Sequence, residues 1–459
     1  MPLPIDPGEP IDPQVVDELE SDDDSSWWDA SDDEENEENG PEIDLHEEED
    51  DVDEDAFFDD DEHEVDEDYE IDLHEEEEDL EVDFFAEIGD SDEVEAYELS
   101  LAQSDVGQLQ FADGPDLKSY LLALAQDGAQ SIVALPPLVG RRSLDEVLIR
   151  PSGVFSSPPD VVSTSTIIGG NATRPLELGV PICLRVPLGL VSNGRSDLFI
   201  NSAESARAGV CFDAQGAHGD WPRGLKSILS LAPGTKLPSS SILAEASAVE
   251  LWLPPLDTIS IQEFDSDDHV PLIRSAQALG SLIERLRGEV DGAPIGVRLL
   301  AADIETDLAQ VLEAGPDFVI LTGRGSSVPF VDRRAIQAGG LPIFHGLSRA
   351  RAFLDTHSKG VSLIASGGLR LPLDVGIALA LGADAVELAT VPSLAFGGWS
   401  ESISANEADQ QMKNVVGTYV EQLMAVTRQR GLVDVHALSQ NDLCSPLAEV
   451  AKALQIQTL

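Results

Sequence analysis

From about residue 180 onward the sequence alternates between short runs rich in Val, Ile and Leu and stretches whose apolar residues recur at helical spacing. Eight runs have the length and composition of fully buried strands: Pro181–Pro187 (PICLRVP), Val210–Ala214 (VCFDA), Ala248–Leu253 (AVELWL), Ile295–Leu300 (IGVRLL), Asp317–Gly323 (DFVILTG), Leu341–Gly346 (LPIFHG), Val361–Ala365 (VSLIA) and Ala385–Thr390 (AVELAT). Between them lie amphipathic stretches such as Pro271–Arg287 and Ile304–Ala314, the second followed by Gly315, a residue suited to the left-handed stop of a helix. Near-continuous apolar strands joined by helical crossovers dictate a parallel sheet covered on both faces. Eight such units in about 220 residues predict an α/β fold, a (β/α)8 TIM barrel over residues 181–400. A doubly wound open sheet is the alternative; it more often has five or six units and an early GxGxxG, which does not occur. Residues 115–180 read as a lead-in to the barrel. Residues 401–459 read as a C-terminal helical extension, with a long helix over Asn406–Gln429 and Gly431 as its stop.

The N-terminal part cannot take part in that core. Residues 1–100 hold 49 Asp or Glu and no Lys or Arg; the remaining 39 acidic residues and all 26 basic ones lie beyond, so the body carries −13 of the chain's −62. Like charges repel and the apolar residues are too sparse to offset ordering, so 1–110 is expected to be a disordered, low-complexity acidic tail. It contains an internal repeat: EIDLHEEED at 42–50 returns as EIDLHEEEED at 70–79, and the pairs Trp27-Trp28, Phe57-Phe58 and Phe84-Phe85 sit in acid. Two copies without a continuous apolar face cannot stack into a solenoid. Aromatic pairs in an acidic field suit docking into a basic, apolar groove on a protein partner, whereas nucleic acid and anionic membrane are repelled. His46, His63 and His74 lie among carboxylates without fixed spacing, so no metal site is expected. Cys183, Cys211 and Cys444 form no CxxC pair; this, with no signal-peptide pattern and no membrane-length apolar run, predicts a cytoplasmic protein. Cys183 and Cys211 fall inside apolar strands and read as buried, inert thiols.

In a barrel the reacting groups stand where strands end. Ser366-Gly367-Gly368-Leu369-Arg370 follows the seventh run, and Ala389-Thr390 closes the eighth. Glycines there let bare backbone N–H groups approach an anion, and a helix start adds a favourable dipole. A plain tight turn is the competing explanation. His345 ends the sixth run, a position for a general acid or base. His218 and Asp220 lie in a polar loop after the second run.

Three segments, DVVSTSTIIGGNATRPLELGVPI (160–182), PIGVRLLAADIETDLAQVLEAGPDFVILTGRG (294–325) and LIASGGLRLPLDVGIALALGADAVELAT (363–390), resemble the FMN-binding domain of glutamate synthase and the stand-alone glutamate synthase-related proteins. The likeness covers about 141–459 and leaves out the acidic tail. It implies an oxidoreductase that holds FMN at the barrel mouth and reduces an imino acid formed from 2-oxoglutarate and ammonia. Carried over position by position, it implies that Gly367, Gly368, Ala389 and Thr390 seat the FMN phosphate with Arg370 beside it. Arg298 stands where the family usually has Lys and would face the reduced flavin ring, and Gly323, Arg324 and Gly325 would border the substrate. His345 is the second catalytic candidate.

The departures are specific. GRGSSVPFVD stands for a pattern close to GRGGGTGAAP, and RVPLGLV replaces a small-residue flavin loop, with Arg185 and Pro187 crowding it. LPPLDTISIQEF replaces a glycine-rich segment. The cluster-ligating cysteines of full-length glutamate synthases are missing after the eighth run, so no iron–sulfur cluster is expected. Position 2 is Pro, so no glutaminase nucleophile is expected, and ammonia or electrons would come from solution or a partner. A catalytically degenerate barrel, serving as a scaffold with the acidic tail as docking segment, is the alternative. Isoprenoid diphosphate isomerisation is more remote, because no basic diphosphate cluster is evident.

Overall fold

The computed structural model describes residues 110–111, 117–128, 138–139, 147–150, 158–187, 195–214, 225–254, 268–323, 340–358, 360–396 and 403–459. Apart from Gln110, the acidic segment lies outside these residues, as do His218, Asp220, Arg324 and Gly325.

Eight parallel strands close into a barrel: β1 (Ile182–Arg185), β2 (Gly209–Asp213), β3 (Ser227–Leu231), β4 (Ala248–Trp252), β5 (Ile295–Leu300), β6 (Phe318–Thr322), β7 (Ser362–Ser366) and β8 (Ala385–Leu388). Each pairs with its sequence neighbours, and β8 pairs with β1 to complete the ring. The expected α/β barrel is therefore observed, but its membership differs from the sequence reading at one strand. Leu341–Gly346 is not a strand; it enters the helix Ile343–His357. Its buried residues Ile343, Phe344, Leu347, Ala350 and Leu354 mark a helical stripe, and Pro342 lies just before the first helical residue. The missing strand is β3. Ser227 and Ser230 interrupt its apolar run, yet all five of its residues are buried. Consequently Arg298 lies on β5 and Gly323 follows β6, while the glycine pair still follows β7 and Ala389-Thr390 still follows β8.

Inside the barrel, alternate residues point inward. The lower lumen is dry: Cys183, Cys211, Ile228, Ala248, Phe318, Ile320, Ile364 and Ala385 form one cluster with Ile168, Leu176 and Leu178. These last three come from the hairpin Thr166–Ile168/Leu176–Leu178, which plugs the N-terminal end. Its turn is tied to the barrel by the Gly169 amide donating to Ser362 Oγ (3.0 Å) and Thr166 Oγ1 donating to the Asp384 carbonyl (3.0 Å). The thiols of Cys183 and Cys211 are free and buried, as their strand positions require.

Outside, the helix Ala405–Gln429 packs on the helices Leu117–Asp127, Ser196–Ser205 and Pro372–Ala380. It starts with a capping box between Ser404 and Glu407 and stops at Gly431, whose φ is 73°. Its buried Tyr419 donates a hydrogen bond to the Arg370 carbonyl (2.5 Å), fixing the loop after β7.

Gly296 on β5 faces the Phe318 ring: a Cβ there would lie 2.4 Å from it. Gly296→Ala is expected to lower stability by about 1–3 kcal/mol through overpacking, read from urea unfolding midpoints at unchanged m-value.

Candidate functional site

One turn of strand above the dry lumen, the inward residues become charged. Arg185 (β1), Asp213 (β2), Glu250 (β4), Arg298 (β5), Thr322 (β6), Ser366 (β7) and Glu387 (β8) are all buried at the C-terminal end of the barrel. Arg185 donates to Glu387 through Nε (3.2 Å) and Nη2 (3.1 Å), to Glu250 through Nη2 (2.6 Å) and to Asp213 through Nη1 (3.2 Å). Arg298 grips Glu250 through Nε and Nη2 (2.9 Å at closest) and donates to Glu387 through Nη2 (2.6 Å). Its Nη1 donates to Thr322 Oγ1 (3.1 Å) and Ser366 Oγ (3.3 Å), and the Ser366 hydroxyl donates onward to Glu387 (2.8 Å). Every N–H of Arg298 thus has a protein acceptor.

The lattice holds two cations against three carboxylates. Burial alone would raise the Glu387 carboxyl, but the Arg185 and Arg298 guanidiniums outweigh it and hold the group well below the usual carboxylate range. Among the described residues Asp213 pairs with Arg185 alone, and there burial prevails and raises its pKa.

Above β7 the chain turns through Gly367 and Gly368 with φ of 81° and 78°, a left-handed pair that side-chain-bearing residues rarely adopt. Both are partly exposed, and no acceptor among the described residues takes the amides of Gly367, Gly368 or Leu369. Arg370 Nε donates back to the Gly368 carbonyl (3.3 Å), and the Arg370 and Leu371 amides are held by Asp374 (2.7 and 2.8 Å). Ala389 and Thr390, also partly exposed, lead into the short helix Thr390–Ala395 beside this turn. The structure therefore brings Gly367, Gly368, Ala389 and Thr390 to adjoining strand ends, with Arg370 folded against the loop.

Other expected residues sit elsewhere. His345 is in the first turn of the helix Ile343–His357, half-buried, with its pKa lowered by burial, and shares no hydrogen bond with the lattice among the described residues. Gly323 is a packing glycine: its amide donates to Ser366 O (2.8 Å), and a Cβ would meet Ile343 at 2.6 Å. Arg185 does not crowd a loop but turns into the barrel. Glu250, Glu387 and Asp213 were missed by sequence reasoning, although a signal exists: the tetrapeptide AVEL occurs in both β4 and β8, each time placing Glu inside an otherwise apolar strand.

Residues 232–403 match the family described as the conserved region in glutamate synthase. This part of the barrel is therefore similar to the corresponding region of glutamate synthases. The match takes in Glu250, Arg298, Ser366, Glu387 and both strand-end turns, and leaves out Arg185 and Asp213. Among curated proteins, the glutamate synthase large subunit-like protein of Rhizobium meliloti is 33% identical over 133 residues, 28% of this chain and 28% of that one. The isopentenyl-diphosphate delta-isomerase of Listeria innocua is 29% identical over 177 residues, 36% of this chain and 46% of that one. The chain thus spans less than half the length of these relatives. Among solved structures, mandelate oxidase with (S)-2-phenylpropionate aligns with a TM-score of 0.46 at 17% identity, covering 75% of this chain and 96% of that one. No helix among the described residues is long and apolar enough to cross a membrane.

Removing one lattice partner strands the others. Arg298→Met is expected to cost roughly 3–5 kcal/mol in chemical denaturation, because Glu250 and Glu387 lose one of their two shared cations and are left buried with Arg185 alone. Glu387, with its folded pKa depressed, contributes stability that is present above the unfolded carboxylate pKa of about 4.3 and lost as pH falls below it. Glu387→Gln is therefore expected to flatten the acid limb of a stability–pH profile. The raised Asp213 acts in the opposite sense, its contribution fading as pH rises through its folded pKa.

Proposed function

We propose that this barrel binds FMN and is a flavin-dependent oxidoreductase of glutamate synthase type, acting on an imino acid formed from 2-oxoglutarate and ammonia. The carrying observation is the turn after β7: two consecutive left-handed glycines whose amides have no acceptor among the described residues, beside the turn after β8. Bare N–H groups at the end of parallel strands suit a phosphate, and the absence of Cβ atoms lets its oxygens come close. The match of residues 232–403 to glutamate synthase supports the choice of flavin among phosphate-bearing ligands.

Each residue set has a role in this reading. Gly367, Gly368 and Leu369 donate amides to the phosphate; Asp374 and Tyr419 hold the loop that presents them. The bound flavin would supply hydride chemistry. The lattice beneath forms a rigid, dry floor that excludes water from the mouth. The acidic tail would serve to dock a basic partner. Isoprenoid diphosphate chemistry is less well supported, because the Arg185 and Arg298 guanidiniums are already committed to carboxylates.

One observation favours a second reading, a barrel without catalysis. Arg298, the cation that would face the ring, has no N–H left to offer. Flavin binding separates the two. Titration of the purified protein with FMN is expected to quench flavin fluorescence at one-to-one stoichiometry, with riboflavin, lacking the phosphate, much weaker. Gly368→Asp, which sets a side chain and a negative charge in the seat, is expected to weaken FMN by about tenfold or more. FMN that fails to bind at high micromolar concentration leaves the non-catalytic reading.

A further inference from the structure

The geometry points to a flavin site that favours the oxidised, neutral ring over the reduced, anionic one. This rests on the FMN reading and deepens it. Ser366 immediately precedes Gly367, and Glu387 lies two residues before Ala389. At about 3.3 Å per residue, a ligand anchored on those strand ends has the charged lattice within about 7 Å of its anchor.

The charge of that lattice decides what it does to a ligand above it. With every group ionised, Arg185 and Arg298 face Asp213, Glu250 and Glu387, and one negative charge is left over. With Asp213 protonated the sum is zero. In neither state is it positive. Geometry also closes the route through Arg298, which cannot turn a donor upward without giving up Glu250, Glu387, Thr322 or Ser366. A swing outward would also leave two carboxylates buried with one cation between them, which is costly.

Two electrons and one proton added to bound FMN leave a negative charge on the ring. The lattice has no spare cation and so does not compensate that charge, and where Asp213 is ionised it repels it; Arg370, the other described cation at these strand ends, is held at the phosphate turn by the Gly368 carbonyl. The oxidised cofactor therefore binds more tightly, which is equivalent by linkage to a reduction potential below that of free FMN. A flavin held this way is a strong electron donor once reduced and demands a strongly reducing source.

The test compares the affinity of the full chain for oxidised FMN with that for dithionite-reduced FMN, under anaerobic conditions at a pH where the free reduced cofactor is anionic. Reduced FMN is expected to bind roughly tenfold more weakly or worse. Equal or tighter binding of reduced FMN overturns the inference while leaving the flavin site intact; failure of oxidised FMN to bind overturns the site and the inference together. Glu250→Gln frees positive charge on Arg298 and is expected to narrow or reverse the gap. A folded Glu250→Gln protein that binds oxidised FMN with the full wild-type gap overturns the lattice as its cause, and the wild-type comparison stands on its own if that variant does not fold.

Discussion

Arg298 clasping Glu250 and Glu387 is the interaction on which the upper barrel depends. Strands β4, β5 and β8 each place one long charged side chain in the lumen, and none of the three could be buried alone. Arg185 closes the set from β1, reaching the same two glutamates and Asp213. Five charges are thereby sealed with most of their hydrogen-bonding capacity used, over a lumen filled by Phe318, Ile320, Ile364 and small residues. The two layers divide the work. The apolar one supplies burial, and the ionic one fixes which strands neighbour which at the mouth.

The ionic floor also sets what the strand ends can do. Because the lattice charges are spent on one another, the described groups left at the strand ends are the amides at Gly367–Leu369, the turn at Ala389–Thr390 and the Arg370 guanidinium. The turn after β7 is held from outside the barrel, by Asp374 within the following helix and by Tyr419 from the long C-terminal helix. The C-terminal extension therefore stabilises the candidate site and is not a mere appendage to the barrel.

Much of this was legible in the sequence. Hydrophobic runs at regular spacing were enough for the barrel, and the Gly-Gly after the seventh run was enough to place a left-handed turn at that strand end. Leu341–Gly346 misled because a short apolar run cannot by itself distinguish a strand from the first turn of a helix; the stripe running on to Leu354 carries the distinction. Ser227–Leu231 was hidden because buried serines resemble a loop until the neighbouring strands are in place. The lattice was the least legible. Glu250, Arg298 and Glu387 stand at separate points in the chain, and only the closure of the ring shows that each charge has its partner. Arg298 was read as a cation facing a ligand because its carboxylate partners could not be seen.

The most direct measurement is a crystal structure of the protein with FMN. The account predicts the phosphate on the Gly367–Leu369 amides beside Ala389 and Thr390, with Arg298 still bound to Glu250 and Glu387 below the ring. A phosphate seated elsewhere, or an Arg298 that has left both glutamates to reach the flavin, would contradict it.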